Sequence, residues 1–291
     1  MKPPAFDYIA ATSVDMAVAA LAATGSEAKI IAGGQSLMPM LNFRLIRPSV
    51  LVDINGIADL AYIEEAGSGI RVGALTRHYQ LETSAVIARH FPVLSCAMTH
   101  VAHLAIRNRG TIGGSLSHAD PAAEPPMLAL LLDASLHIAS ASGTRTITAR
   151  DFFLDALTVD LTSTDILTEI VLPKLPPRTG WGFAEVARRH GDFALVAVAA
   201  TLTVSDDTIR QARIALTGVG PTPLRAAAAE ALLCGHALEA SLTGRAIDAV
   251  RTGIAPETDL HASSDFRRHL AGVLAGRALA AAWRRAQASK A

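Results

Sequence analysis

The sequence predicts an α+β fold in two domains. With 291 residues and 51% hydrophobic content, the chain can bury a sizeable core in each domain. Short apolar runs and glycine turns alternate with helix-periodic segments as far as Leu172, and longer strand-like runs with alanine-rich helices follow. Between these parts lies PKLPP (173–177), the densest proline cluster, which predicts a boundary between domains at 1–176 and 177–291.

The first elements predict an α/β unit. A helix-periodic run is capped by Thr12 or Ser13 and ends at Gly25. Buried strands are predicted at 28–32 and 50–54, with a glycine turn and a short helix between them. Strand, turn, helix and strand in this order are typical of an α/β unit.

The next segment predicts a second, α+β subdomain, so the first domain divides at about 1–57 and 58–176. Alternating residues around glycine turns predict hairpins, and longer periodic runs predict helices. The predicted hairpins are 63–72, with a turn at 65–69, and 135–148 around Gly143; the predicted helices are 80–87, 92–101 and 127–132; the last strand is 166–172.

The final segment predicts three strands and then alanine-rich helices. The last two strands are joined by a turn at Asp206-Asp207. The predicted strands are 183–186, 194–204 and 209–216, and the predicted helices are 224–233 and 265–286.

Charge and cysteine content exclude several classes of partner. The chain has 26 basic and 26 acidic residues, so it offers no electrostatic reason to bind nucleic acid or an acidic membrane. Two distant cysteines cannot hold an iron–sulfur cluster and indicate a reducing compartment. The N-terminus lacks a signal-peptide pattern, and no apolar run approaches the roughly eighteen residues that a membrane span needs. We therefore expect a cytoplasmic protein without a membrane span.

Two glycine pairs are the strongest candidates for a binding site. IIAGGQSL (30–37) and TIGGSL (111–116) each place the pair after an apolar run that resembles the end of a strand. Backbone N–H groups at such turns form a cradle for phosphate oxygens, and Ser36 and Ser115 add hydroxyl donors. The nucleoside-triphosphate loop and the GxGxxG fingerprint are both missing. The alternative is that both pairs are ordinary tight turns.

Carboxylates follow the second glycine pair at a distance that suits a ribose. Asp120 and Glu124 both qualify as acceptors for ribose hydroxyls. The alternative role for either residue is to cap the helix that includes Met127.

Two other constellations carry little weight. His100, His103 and His118 lack a matching further ligand, so no metal site is assigned. Ser117, His118 and Asp120 have the side chains of a hydrolase triad, but they are too close in sequence to align as one. No catalytic acid or base is assigned.

Three segments together resemble a known family. AGGQSLMPMLNFRL, IRNRGTIGGSLSHADPAAEPP and RRHGDFA, in this order, are similar to the FAD-binding medium subunit of molybdenum hydroxylases, the carbon monoxide dehydrogenase and xanthine dehydrogenase group. The resemblance implies an FAD-binding domain with two subdomains, of the vanillyl-alcohol oxidase / p-cresol methylhydroxylase type, and a smaller C-terminal α+β domain. It also implies FAD as the cofactor.

The resemblance assigns roles to individual residues. Both glycine segments are directed at the diphosphate, Glu124 with Asp120 at the ribityl or ribose side, and Leu167 at the flavin. Ser115 stands where many members have asparagine, Phe193 replaces a tyrosine found near the flavin in some relatives, and a lysine that some members have just before Arg188-Arg189 is absent. The implied cofactor-binding residues are Ile31, Ala32, Gly33, Gly34, Gln35, Ser36, Leu37, Thr111, Ile112, Gly113, Gly114, Ser115, Asp120, Glu124 and Leu167.

The resemblance also implies partners and a function. A large molybdopterin-binding subunit and a small subunit with 2Fe–2S clusters would join this chain in a dimer of heterotrimers, and FAD would pass electrons to an external acceptor. The alternatives are a stand-alone flavin reductase or oxidase of the same FAD fold and a non-catalytic nucleotide-binding module.

Overall fold

The chain forms three layered units, each made of a sheet covered by helices. The structure, a computed structural model, describes residues 2–67 and 69–288. Ser68, which belongs to one predicted turn, lies outside the described residues. None of the helices in the described part of the chain combines the length and the hydropathy that a bilayer-spanning segment needs.

The first unit is a small parallel sheet with strand order β1-β3-β2. As predicted, Ser13 caps the first helix, its Oγ accepting a hydrogen bond from Met16 N at 3.1 Å, and Gly25 ends it. The first strand was not predicted. The elements are β1 (Asp7–Ala10), α1 (Val14–Thr24), a 3-10 turn (Gly25–Glu27), β2 (Ala28–Ile31), α2 (Leu37–Asn42), β3 (Val50–Asp53) and a 3-10 turn (Ala58–Leu60).

The second unit is an antiparallel sheet, β4-β5-β10-β6-β7, with helices packed over it. The predicted helix 80–87 is in fact two helices, because the chain breaks at Ser84 and the Ser84 side chain caps the second one. The elements are β4 (Ile63–Ala66), β5 (Gly69–Gly73), α3 (His78–Thr83), α4 (Ala85–His90), α5 (Pro92–Met98), α6 (Leu104–Arg107), α7 (Ile112–His118), α8 (Glu124–Leu131), β6 (Ser135–Ser140), β7 (Gly143–Thr148), α9 (Ala149–Phe152), β8 (Phe153–Asp155), β9 (Thr158–Val159) and β10 (Ile166–Pro173).

The third unit is an antiparallel sheet, β11-β12-β13-β14, with a long helix packed across its first two strands. The predicted helix 224–233 is too long at its start, since Leu224–Arg225 pairs with the preceding strand before the helix begins. The helix at 240–252 was not predicted. The elements are β11 (Thr179–Ala187), β12 (Ala194–Ser205), β13 (Thr208–Thr217), β14 (Leu224–Arg225), α10 (Ala227–Leu233), α11 (Ala240–Thr252) and α12 (Ser264–Ala288).

Strand β11 presents different residues to the units on its two sides. Side chains alternate along a strand, so Trp181, Phe183 and Glu185 share one face. The other face consists of Gly180, Gly182 and Ala184. The first face packs towards α5, where the Phe183 ring meets His100 at 5.0 Å between centroids. On the opposite face, a side chain at Gly182 would overlap the backbone of Ala278 in α12. The alternation therefore turns Glu185 towards the second unit.

Polar contacts also join the second and third units. The carbonyl oxygen of Pro121 accepts hydrogen bonds from Gly218 N at 2.9 Å and from Thr217 Oγ1 at 2.7 Å. Asp133, between α8 and β6, accepts from Arg213 and Arg225, each at 2.9 Å. The loop that precedes α8 is thus held by the third sheet.

Candidate functional site

The first glycine segment forms an open cradle of backbone donors at the end of β2. Within the described residues, the N–H groups from Gly33 to Leu37 have no intrachain acceptor. Gly34 has a φ of 71°, a left-handed conformation that glycine adopts without strain. The chain then enters α2, and Met38 N donates to Gly34 O at 3.0 Å. Successive unpaired N–H groups at the start of a helix favour a negatively charged group.

The second glycine pair does not form a cradle of this kind. The pair does not follow a strand: it lies inside the first turn of α7, and the preceding regular element is the short helix α6. The N–H groups of 112–115 are already engaged, which contradicts the expectation that they are open to a phosphate. Their acceptors are Thr76 O for Ile112, Ala74 O for Gly113, Thr111 Oγ1 for Gly114 and Thr111 O for Ser115, at 2.9–3.1 Å.

Thr111 differs from the residues that follow it. Its side chain caps α7, and its N–H group has no acceptor in the described part of the chain. Gly114 is also open: it is exposed, and the only atom within 4 Å of a Cβ built there is Thr111 Oγ1, at 2.8 Å. Gly113 is buried, and a Cβ there would lie 2.6 Å from that of Ala74. Packing excludes a side chain at Gly113, and a Cβ at Gly114 would crowd the Thr111 hydroxyl that caps α7.

The two glycine segments nevertheless touch each other. A Cβ added at Gly33 would overlap the carbonyl oxygen of Arg109 and lie 2.8 Å from the Cα of Gly110. The backbone that leads into Thr111 therefore packs directly on the first cradle. Two segments almost eighty residues apart in sequence form one surface.

Arg77 and Asn55 hold these two segments together. The Arg77 guanidinium donates through Nη1 to Arg109 O and through Nη2 to Asn55 Oδ1, the latter at 2.8 Å. Asn55 in turn donates through Nδ2 to Ala32 O at 2.6 Å. A continuous chain of hydrogen bonds thus runs from the residue before the first glycine pair to the residue two positions before Thr111.

His78 holds the second glycine segment in place through buried polar contacts. The His78 side chain is buried, with Nε2 3.0 Å from both Thr111 O and Ser115 Oγ. Because a carbonyl only accepts, the neutral tautomer with its proton on Nε2 fits, and Ser115 Oγ is then a second acceptor. Burial lowers the pKa of His78 to about 4. The imidazole is therefore neutral near pH 7.

The predicted carboxylates occupy different environments. Asp120 closes a turn, accepting from Ala122 N through Oδ1 at 2.9 Å. Glu124 is the first residue of α8 and is only 3% exposed. Glu124 lies in the first turn of this helix, as the alternative role expects, whereas Asp120 lies three residues before the N-cap residue Ala123 and does not cap the helix.

Glu124 lies against a second carboxyl group. The side chain of Glu185, 4% exposed, reaches it from β11 within hydrogen-bonding contact. Burial raises the pKa of Glu124 to about 8, with a further increase from the charge of Glu185, and burial raises the pKa of Glu185 to about 7. Two buried carboxylates in contact repel each other, so the pair retains a proton near neutral pH.

The remaining predicted residues lie near this surface or in its support. Leu167, in β10, is buried in the core of the second unit, and β10 packs against α7. Phe193 lies in the exposed connection between β11 and β12. His100 Nδ1 is 3.8 Å from Glu185 Oε1, whereas His103 packs against Gly191. In the described part of the chain, no group of His, Cys, Asp and Glu is placed to hold a metal ion.

Four residues that were not predicted from the sequence connect segments of the site that are distant in sequence. No role was assigned to Asn55, Arg77, His78 or Glu185 from the sequence, because none belongs to a local motif. The only available signal was the alternation of β11, which places Glu185 on the same face as Phe183.

Comparison with known proteins gives two adjacent family matches. Residues 4–175 match the FAD binding domain in molybdopterin dehydrogenase, and residues 181–282 match the CO dehydrogenase flavoprotein C-terminal domain. The first range ends within the proline cluster (173–177), and the second begins four residues after it.

Individual relatives are similar over nearly their whole lengths. The chain is 42% identical to the 6-hydroxypseudooxynicotine dehydrogenase complex subunit alpha of Paenarthrobacter nicotinovorans, covering 100% of this chain and 98% of the relative. It is 41% identical to caffeine dehydrogenase subunit beta of Pseudomonas sp. (strain CBB1), over 97% and 96% of the two chains. A solved structure of carbon monoxide dehydrogenase from Hydrogenophaga pseudoflava matches with a TM-score of 0.96 and 40% identity, covering 98% and 99%.

Proposed function

Because this chain belongs to the family with the FAD-binding domain of molybdopterin dehydrogenases and the C-terminal domain of CO dehydrogenase flavoproteins, we propose that it is the electron-transfer subunit of a molybdenum hydroxylase complex. In this role it carries FAD and passes electrons from 2Fe–2S clusters of a partner subunit to an external acceptor. The observation that carries the proposal is the open cradle from Gly33 to Leu37, packed against the segment that leads into Thr111.

The residues of the cradle fit the diphosphate of FAD. The unpaired N–H groups from Gly33 to Leu37 and that of Thr111 supply donors, and the Ser36 side chain makes no cap to α2, so its hydroxyl is available as another. The exposed Gly114 adds a surface that a side chain would obstruct. Neutral backbone donors of this kind bind phosphate oxygens without needing a lysine.

The remaining residues predicted from the sequence are assigned to the body of the cofactor. We assign Glu124 and Asp120 to the hydroxyl groups of the ribityl or ribose side, and Leu167 to the flavin. Asp120 is the more accessible of the two, because it is half-buried in the turn before α8, whereas Glu124 is buried against Glu185. Ile31, Ala32, Gln35, Ile112, Gly113 and Ser115 shape the two segments around the diphosphate.

Redox chemistry in such a protein belongs to its cofactor. FAD, when bound, supplies one- and two-electron chemistry, and the protein supplies binding, orientation and electrostatics. This chain's residues hold the cofactor and fix the spacing of the two glycine segments through Asn55 and Arg77. No side chain of this chain is assigned as a catalytic acid or base.

The partners follow from what the chain lacks and from its relatives' names. Its two cysteines are too few for a cluster, so the clusters and the molybdopterin belong to other subunits. We propose a large molybdopterin-binding subunit and a small 2Fe–2S subunit, assembled as a dimer of heterotrimers, in the cytoplasm. The relatives' names cite caffeine, carbon monoxide and 6-hydroxypseudooxynicotine, so the substrate varies among the complexes that contain this type of subunit.

The experiment is purification of the full chain alone and then with candidate partner subunits. We expect a yellow protein with one FAD per chain, reducible by dithionite, and substrate hydroxylation only after the partners are added. Turnover of an organic donor with oxygen by the isolated chain would favour a stand-alone oxidase. A colourless chain that does not take up added FAD would overturn the proposal.

A further inference from the structure

Arg77 and Arg109 bring two positive charges beside the open cradle, and the nearby Asp53 offsets the charge of Arg77 only in part. Arg77 is half-buried, and both of its recorded hydrogen bonds go to neutral acceptors, Arg109 O and Asn55 Oδ1. Within the described residues, neither guanidinium lies within ion-pair distance of a carboxylate, although Asp53 lies near Arg77. By contrast, the buried Arg107 and the half-buried Arg225 each contact an acidic side chain.

The two guanidinium groups also act on each other. Burial lowers the pKa of Arg77, and the charge of Arg109 lowers it further, whereas Asp53 raises it. Such an arrangement is unfavourable for the protein alone, because like charges repel and one of them is partly desolvated. It becomes favourable when a dianionic group lies on the adjacent N–H groups, since arginine pairs well with phosphate oxygens.

We propose that Arg77 and Arg109 are cofactor-binding residues that neutralise the diphosphate of FAD, and that Arg77 with Asn55 also fixes the spacing of the two glycine segments. The inference rests on the proposed function, since it assumes that FAD is the ligand. It separates two contributions: the charge of both arginines, and the hydrogen-bonded link from Ala32 O through Asn55 and Arg77 to Arg109 O. The first depends on ionic strength and the second does not.

The test measures FAD affinity of the flavin-free full chain at low and high salt, by flavin fluorescence. For Arg109→Gln we expect about tenfold weaker FAD binding at low salt and a smaller loss of affinity when salt is added. The flavin-free variant should unfold at the same temperature as the wild type or at a higher one, because a repulsive neighbour of Arg77 has been removed. Arg77→Gln should weaken FAD binding at least as much.

Two further variants separate charge from position. Asn55→Ala breaks the link but changes no charge, so its FAD affinity should fall while the salt dependence stays that of the wild type. Arg210→Gln is the control, because Arg210 is exposed near the start of β13, where it pairs with Asp206. This control should match the wild type in affinity, salt dependence and unfolding temperature.

The outcomes distinguish this inference from the proposed function. A wild-type chain that binds no FAD would overturn both. A wild-type chain that binds FAD while Arg109→Gln and Arg77→Gln keep its affinity and salt dependence would overturn only the role of the arginines. If flavin-free Arg109→Gln unfolded at a lower temperature than the wild type and also bound FAD more weakly, the role of Arg109 would be structural. That result would also overturn the charge proposal.

Discussion

The carboxyl group of Glu124 contacts that of Glu185 in a space closed to solvent between α8 and β11. Glu124 belongs to the unit that carries the second glycine segment, and Glu185 belongs to the C-terminal sheet. The Asp120 charge raises the pKa of Glu124 slightly, and His100 is the nearest basic side chain to Glu185. The pair therefore makes the junction between these units sensitive to proton concentration.

Replacing Glu185 with glutamine should change how stability depends on pH. Both carboxyl groups have folded-state pKa values, about 8 and about 7, above the ordinary 4.5, so their stabilising contribution is complete below pH 4.5 and is lost as pH rises through 7 and 8. Glu185→Gln removes one of the two charges. The difference in unfolding free energy between the variant and the wild type should therefore shift in favour of the variant by about 2 kcal/mol as the pH rises from 5.5 to 8.5.

Denaturant titration at the two pH values measures this difference. The control is Glu257→Gln, since Glu257 is exposed. Its effect on the unfolding free energy should be the same at both pH values. A Glu185→Gln difference that does not vary with pH would mean that the two carboxyl groups do not share a proton.

Substitutions at the glycines should separate packing from ligand binding. Gly113→Ala forces a Cβ onto Ala74 and should cost about 2 kcal/mol of unfolding free energy. Gly114→Ala meets only Thr111 Oγ1, and the helix propensity of alanine offsets this, so stability should stay within about 1 kcal/mol. Gly33→Val and Gly114→Val should both abolish FAD retention, the first because it separates the two segments.

Flavin content and thermal unfolding of each purified variant give the answer. Stoichiometric flavin in both valine variants would contradict the assignment of the cradle. Folded Gly114→Val without flavin would be the clearest support, because it would show that the loss of FAD does not come from unfolding.

His78 should show the opposite pH dependence to the carboxyl pair. Its folded-state pKa of about 4 lies below the ordinary 6.5, so its contribution is complete above pH 6.5 and is lost as the pH falls towards 4. His78→Gln keeps a donor for Thr111 O but cannot titrate. As the pH falls from 7 to 5, the difference in unfolding free energy between the variant and the wild type should therefore shift in favour of the variant by about 2 kcal/mol.

His78→Leu is the companion variant, because it removes the donor altogether. It should lose about 1–3 kcal/mol at pH 7, since Thr111 O is left unpaired in a buried position. Equal stability of the leucine and glutamine variants at pH 7 would show that the hydrogen bond to Thr111 contributes nothing.

Asp133 should contribute to the attachment of the C-terminal sheet. It accepts from Arg213 and Arg225, both well shielded from solvent, and its φ of 50° favours asparagine over alanine as a replacement. Asp133→Asn should lower the unfolding free energy by about 2 kcal/mol, because two guanidinium groups lose a charged partner. Asp248→Asn, at an exposed pair with Arg251, is the control and should change stability by less than about 0.5 kcal/mol.

Local patterns predicted most elements, and residues distant in sequence explain the errors. The Ser13 cap, the Gly25 stop and the Asp206-Asp207 turn depend on neighbouring residues, and the structure confirms them. The helix break at Ser84 was missed because a serine cap within a continuous periodic run resembles an ordinary helical residue.

The site was predicted only in part, for a similar reason. The first cradle has the open donors that its glycine turn indicates. In the second segment, a strand-end carbonyl, Ala74 O, takes up the N–H group of Gly113, and no local pattern announces an acceptor almost forty residues away. Arg77 and Glu185 reach the site through tertiary packing, which periodicity does not describe.

The hydrogen bonds from the C-terminal sheet to the carbonyl oxygen of Pro121 limit how such chains can be recombined. A chimera that joined the first part of one relative to the last part of another at the proline cluster would inherit each fold intact. It would still have to match Thr217 and Gly218 to the loop before α8, and Glu185 to Glu124, across the join. Natural exchange between lineages should therefore transfer both parts together.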